Sequence, residues 1–445
     1  MMNEVVVVGA GLAGLTAGYR LASAGVRVHV TEARPYVGGR TASWDERGMK
    51  VESGLHRYIG IYSALPRLMQ DAGIDLSKAL IWEDEVEIRV PDGPSALYGA
   101  SPLRRPFRTI WNVAGPGKLC TPGERARLGA FFAAGLLHYA ASGSTVLDRH
   151  TVRDFAKSKR VSDRTIERIL VPLTEGLFFY PPERYSAYVL FALLAQGAKR
   201  ALRSGVAAFS GGMTEVMADP IAERIRALGG TVETAAAATS LIVRGDRVVG
   251  ITVRDREITA KEVVLATSLA PAQELVRKAF GIQSWNEGML SLKTMPSATL
   301  QLELERPALP VDRGTFGPGT SLSAFTEQSR TTFTHVPGRL SIILSQAELR
   351  LLQRPEEILE EVCRDAPRLG FELKSIVRDY RVITLPHDFY SLTPGMEALR
   401  PPQETPIAGL TLAGDYTRQN YLTTMEGAVI SGEHAAAVVT RRLNG

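Results

Sequence analysis

A chain of 445 residues, 45% apolar and 22% charged, is long enough for two or three domains around a large buried core. Its net charge of +5 is dispersed, which gives no sign of nucleic-acid binding. Cys120 and Cys363 stand too far apart for a disulfide framework or a zinc site, a usage that fits a reducing compartment, and the seven histidines show no ligand spacing, so no metal is expected.

In chain order, the first element is the β-branched run Val5 to Val8, too short for a helix and suited to a buried parallel strand. It leads straight into a glycine turn, so no signal peptide is read there. The turn carries Gly9, Gly11 and Gly14, with Ala10 and Ala13 between them, and runs into a helix over Leu15 to Ala22 that Gly25 stops. A second strand, Val26 to Thr31, ends on Glu32. Strand, G-x-G-x-x-G, helix, strand, acid is the order a dinucleotide-binding unit requires. Gly9 permits the tight turn, Gly11 lets the backbone approach a pyrophosphate, and Gly14 lets helix and strand pack closely. The free N–H groups at the helix start then face the phosphates. Glu32 is suited to accept from the adenosine ribose hydroxyls, which disfavours a 2′-phosphate. Ala33 and Arg34 follow, then Gly38, Gly39 and Arg40. Arg40 reads as a fixed cation for the pyrophosphate or as a solvated arginine after a flexible turn.

Residues 103–140 place Arg104, Arg105, Arg108 and Lys118 around Ile110 and Trp111, followed by the apolar run Phe131 to Leu137. Basic residues beside apolar anchors describe a monotopic membrane contact, and an ordinary amphipathic helix is the alternative. No uninterrupted stretch reaches the roughly 20 apolar residues of a membrane span. Residues 175–196 lead into an apolar helix that lines a cavity or simply fills a core. Near the end, Gly409 to Ala413 reads as another buried strand, with Gly414 and Asp415 at its carboxyl end. Asp415 there suits ribityl or ribose hydroxyls, or merely a turn. Met425 opens a helix rich in small residues, Ala428 among them, whose positive amino end would favour charge developing on a reduced ring.

Several motifs together resemble one family. The Glu32 to Arg34 and Gly38 to Arg40 turns resemble those of the FAD family containing amine oxidases and carotenoid desaturases. The tail 412–432, the stretch Glu52 to His56 with Gly60 and Tyr62, Tyr390 to Gly395 with Arg400 and Pro401, and Gly229 to Glu233 leading to Val264 to Thr267 closely resemble the plant and cyanobacterial phytoene desaturases. Related ζ-carotene desaturases and hydroxysqualene dehydroxylases share much of this pattern.

The resemblance implies an α/β fold with FAD as cofactor. A Rossmann-like FAD-binding domain would be assembled from 1–60, 205–275 and 390–445. An interleaved α+β substrate domain would comprise 61–204 and 276–389. Expected FAD contacts are Gly9, Gly11, Gly14, Glu32, Arg34, Gly39, Arg40, Gly54, Leu55, Asp415 and Met425, with Ala238 at the adenine. Ala10, Ala13, Ala33, Gly38, Thr267, Gly414 and Ala428 complete the expected set. The implied reaction desaturates a long isoprenoid and passes electrons to a quinone or oxygen, on the cytoplasmic face of a membrane. Because the flavin carries the hard step, few catalytic side chains are expected, and the candidates are His56, Tyr390 and Tyr421. An amine oxidase of the same fold typically carries a lysine in the strand matching Ser297 to Glu303, and this strand has none; Lys293 lies upstream. A flavoprotein isomerase without net redox turnover is the remaining alternative. At Gly211 to Glu215 the chain departs from the desaturase pattern, which has an arginine there, and that leaves the substrate open.

Overall fold

The computed structural model describes residues 3–99, 119–200 and 205–445. The first strand, Asn3–Val8, is central in a parallel sheet because its valines have no polar atoms to satisfy on either face. Val28–Thr31 pairs with it on one side and Arg256–Leu265 on the other. Thr231–Glu233 and Leu410–Leu412 extend the sheet outward, also in parallel. Val5 and Val7 pack with the helices on one face, and Val6 and Val8 join the cluster on the other. Each such fully buried valine is worth about 1.5–3 kcal/mol of transfer free energy.

The helix Leu12–Ser23 follows the glycine turn, and Gly25 leaves it at φ +80°. The strand after it starts at Val28, two residues later than the pattern predicts: Val26 N–H closes the turn on the Leu21 carbonyl, while the Arg27 carbonyl already accepts from Glu4 and Val5 N–H of the first strand. The terminal helix, Met425–Asn444, packs on the first helix at Gly432, where any Cβ would lie 2.3 Å from the Ala13 carbonyl oxygen. On the far side, Ala238–Arg244, Arg247–Val253 and Arg256–Leu265 form an antiparallel meander. The helix Leu269–Phe280 runs through the boundary expected at 275.

A second seven-stranded sheet is built around Thr294–Leu304, which pairs antiparallel with Gly338–Leu344 and Val377–Tyr390. Its two faces differ. Ala298, Leu300 and Leu302 point into the large apolar core that also takes in the helix Ala187–Lys199. Ser297, Thr299 and Gln301 lie on the opposite face, and Thr299 donates to the Ser53 carbonyl at 3.3 Å. That polar face therefore meets the segment preceding Gly54. The hairpin Ser43–Glu46 and Met49–Glu52 packs against the same sheet through Met49, Val51 and Ile383.

The helix Pro122–Ser142 is started by a capping box between Thr121 and Glu124. Phe131 and Gly135 turn inward against Phe191, whereas Leu137 is 70% exposed. Arg104, Arg105, Arg108, Ile110, Trp111 and Lys118 lie outside the described residues. Among the described residues, no helix is long and apolar enough to cross a membrane, and no cluster of metal-ligating side chains occurs.

Candidate functional site

Two glycine turns face each other at the carboxyl end of the parallel sheet. Gly9 sits at φ +103°, with Ala266 so close that a Cβ would meet its carbonyl oxygen at 2.8 Å. A Cβ on Gly14 would lie 1.9 Å from the Gly9 oxygen, so only glycine fits. The second turn docks on the first: Gly38 N–H donates to the Ala10 carbonyl at 2.8 Å, and a Cβ on Gly39 would meet Gly11 Cα at 2.9 Å. The result is a shallow backbone cradle at a helix amino terminus, the form that receives phosphates.

Glu32 is buried and ties the cradle to the second strand. One of its oxygens accepts from Ala10 N–H at 2.7 Å, the other from Arg34 N–H at 2.9 Å. Each oxygen keeps a lone pair for a further donor. The carbonyls of Glu32 and Arg34 accept from Ala236 and Ala235, which aligns the chain leading to Ala238 beside the acid. Ala33 is exposed, and the Arg34 side chain turns outward against Tyr36 and Trp44 rather than into the cradle. Thr267 lies against both Gly9 and Gly414, and Leu55 packs at the edge of the large core.

The arginine of the second turn finds its partner at the other end of the chain. Arg40 pairs with Asp415 at 2.5 Å, and its guanidinium lies over the Phe389 ring, 5.0 Å from the centroid. Burial works against the Arg40 charge, yet Asp415 and Asp388 outweigh it and hold the guanidinium pKa above its ordinary value. Arg40 is deep-set but keeps 27% of its side chain accessible. The second carboxylate oxygen of Asp415, Oδ2, is enclosed and has no hydrogen-bond partner among the described residues. A buried carboxylate oxygen without a donor costs free energy unless a ligand hydroxyl or water meets it.

Sequence reasoning did not single out Arg400 as a site residue, yet it builds the Asp415 loop. It is fully buried, donates from Nη1 to both carboxylate oxygens of Glu397 at 2.9 Å, and donates to the carbonyls of Asp415, Tyr416, Thr417 and Gln419. Gly414 N–H donates to Ser431 in the terminal helix, which fixes the loop to that helix. Thr424 caps the helix, its hydroxyl accepting from Gly427 N–H at 3.1 Å, so Met425 and Ala428 lie in the first turn.

The three catalytic candidates sit differently. His56 Nδ1 is buried without a hydrogen bond, 3.6 Å from Glu52, next to Gly54. Tyr390 is buried with an unbonded hydroxyl beneath the Arg400 guanidinium, and burial pushes its phenol well up. Tyr421 packs edge-on against Tyr62, on the side toward the helix Ala64–Asp71. Lys293 is exposed and outside the strand Thr294–Leu304, which contains no lysine.

These features fit FAD: a backbone cradle with no room for a Cβ at Gly9, Gly14 or Gly39, a ribose-side acid, an arginine of the second turn paired with Asp415, and an unbonded carboxylate oxygen. Comparison with known proteins agrees. The flavin containing amine oxidoreductase family matches residues 12–440. A 15-cis-phytoene desaturase of an Oncidium hybrid cultivar is 29% identical, across 98% of this chain and 78% of its own length. The 15-cis-phytoene desaturase of Synechococcus elongatus is 27% identical, across 99% and 96%. An oxidoreductase structure from Methanosarcina mazei superposes with a TM-score of 0.75 at 18% identity, covering 99% of this chain and 100% of the other.

Proposed function

The chain belongs to the flavin containing amine oxidoreductase family and is an FAD-dependent oxidoreductase, and from that premise we propose that it desaturates a long polyisoprenoid of the phytoene type. The observation that carries this reading is the similarity to two phytoene desaturases along nearly the whole chain. The lysine-free strand Thr294–Leu304 supports it over amine oxidation.

When bound, FAD supplies the hydride acceptor. The chain supplies position. The cradle of Gly9, Gly11 and Gly39 with Arg40 would hold the pyrophosphate, Glu32 the adenosine ribose, and the open oxygen of Asp415 a ribityl hydroxyl. The amino end of Met425–Asn444 favours negative charge on the pyrimidine side of the ring. Gly54 and Leu55 would contribute to the flavin end of the site, next to Ser53, whose carbonyl accepts from Thr299 of the sheet's polar face. Anaerobic mixing of the yellow holoenzyme with 15-cis-phytoene in liposomes tests the reading. Bleaching of the flavin with a product carrying one more double bond supports it. Peroxide release on adding amines, or isomerised polyene over an unbleached flavin, counts against it.

A second reading, a hydroxylated polyprenyl substrate, is favoured by one observation. On the sheet's polar face, the oxygens of Gln301 and Thr326 are buried without hydrogen bonds. A substrate hydroxyl is a natural partner for them, so squalene alcohols belong in the same mixing series.

The substrate's entry is proposed along the outer side of Pro122–Ser142, where Gly129, Ala130, Ala133, Leu137 and Ala140 are exposed on one face. That side is suited to a peripheral membrane contact, with a quinone or oxygen as the final acceptor. Leu137→Glu is expected to reduce liposome co-flotation severalfold while leaving FAD content unchanged; equal flotation would remove this helix from the entry route.

A further inference from the structure

The strands Thr294–Leu304 and Val377–Tyr390 fall out of register next to the candidate flavin site. Ser297 faces Leu385 and Met295 faces Phe389, so Pro296 alone stands opposite Pro386, His387 and Asp388. The cause is in the sequence: a proline on each strand removes ladder donors at the same level. A bulge of this kind re-aims a side chain, and here it aims Asp388. Ser297 donates to Asp388 Oδ2 at 2.6 Å, from the same face on which Thr299 meets Ser53. Asp388 is 8% exposed, and no described residue donates to its other oxygen. Phe389, the next residue, lies under Arg40.

The charged and titratable groups around Asp388 are Arg40 and Asp415 from the cofactor turns, and His56 with Glu52 from the segment before Gly54. Its own strand adds His387, which bonds Thr294, and Tyr390. Burial pushes the Asp388 carboxyl above its ordinary range, against the pull of Arg40 and the Ser297 hydrogen bond. A carboxylate of raised pKa, held by one hydroxyl beside the Arg40–Asp415 pair and His56, is suited to take up a proton.

We propose that Asp388 is the general base of this enzyme, accepting the proton released as the substrate is desaturated. The inference rests on the reading above. One carbon loses a hydride to oxidised FAD, its neighbour loses a proton to the free Asp388 oxygen, and the electron pair of that second C–H bond becomes the new π bond. Atoms and charge balance, and the proton leaves Asp388 for solvent between turnovers.

The test compares wild type, Asp388→Asn and Ser297→Ala as FAD-loaded enzymes across pH. Wild-type kcat/KM is expected to fall as pH drops through the Asp388 pKa, because the protonated acid cannot accept a proton. Asp388→Asn is expected to lose this acid limb and about 100-fold or more in kcat, with normal FAD content. Ser297→Ala removes a hydrogen bond to the ionised form, so its limb moves to higher pH. Carbon-13 NMR of aspartate-labelled holoenzyme gives a readout independent of turnover. One resonance, absent in Asp388→Asn, should titrate at the kinetic limb and move with it in Ser297→Ala. If Asp388→Asn does not fold, the paired shift in Ser297→Ala decides alone. Wild type that leaves flavin unbleached with every polyene overturns the reading beneath this proposal. Wild type that turns over while Asp388→Asn keeps its rate or its acid limb, or a resonance that does not follow the limb, overturns the base alone.

Discussion

Asp415→Asn is expected to weaken FAD binding by about 100- to 1,000-fold, or roughly 3–4 kcal/mol, with the fold retained. The side chain keeps its size, and the loop that presents it is held independently by Arg400 through four backbone carbonyls. Two things change. Arg40 loses the carboxylate at 2.5 Å that balances its deep-set charge, and the unbonded Oδ2 position can become an amide that donates where a ribityl hydroxyl needs an acceptor. Flavin fluorescence titration of apoprotein measures the loss directly. A double-mutant cycle with Arg40→Met separates the two effects: a positive coupling energy measures the ion pair, and the remainder belongs to the ligand hydroxyl. Asparagine is as good a turn former as aspartate. Unchanged FAD affinity would therefore mean that Asp415 shapes a turn and holds nothing.

The amino-terminal half of the cofactor fold is legible in the sequence because its logic is local. A valine run, three glycines at fixed spacing and an acid some twenty residues on are each dictated by neighbours in the chain. The pairing of Arg40 with Asp415 is a different matter. The sequence offers a cation near one end and a carboxylate near the other, but only the parallel placement of Leu410–Leu412 beside Arg256–Leu265 brings them together. Arg34 illustrates the converse. Its position in the motif suggests an inward role, while the stacked Tyr36 and Trp44 rings, 5.7 Å apart, give its guanidinium a better surface outside. Asp388 was invisible for a third reason. Strand periodicity assigns each side chain a face, and the proline-induced slip opposite Pro296 breaks that assignment. Buried arginines such as Arg400 escape sequence reading too, since arginine is rarely fully buried unless paired, and its partners here are mostly carbonyls.

Glu426→Ala is expected to destabilise the protein by roughly 3–5 kcal/mol, the largest effect on stability of any substitution considered. Glu426 is fully buried in the first turn of the terminal helix, yet it serves a different helix. One oxygen accepts from Ser63 N–H at 2.7 Å, Ser63 hydroxyl at 2.9 Å and Ala64 N–H at 2.8 Å, and the other from Leu65 N–H at 2.9 Å. The carboxylate thus caps Ala64–Asp71 and lies at the positive end of its dipole, which offsets the cost of burying the charge. Its charge also reaches Tyr58, whose phenol is pushed up to about 12, by burial first and Glu426 second. Alanine would orphan three backbone donors and a hydroxyl in a space too enclosed for full hydration. Glutamine keeps the volume but must turn an N–H₂ toward donors, so about half the loss is expected. Urea unfolding followed by far-UV dichroism measures both. Because Met425, the neighbour of Glu426, opens the helix proposed to face the flavin, FAD affinity should fall alongside stability. A variant with unchanged unfolding midpoint and reduced kcat would instead make Glu426 part of the chemistry, and the capping account would fail.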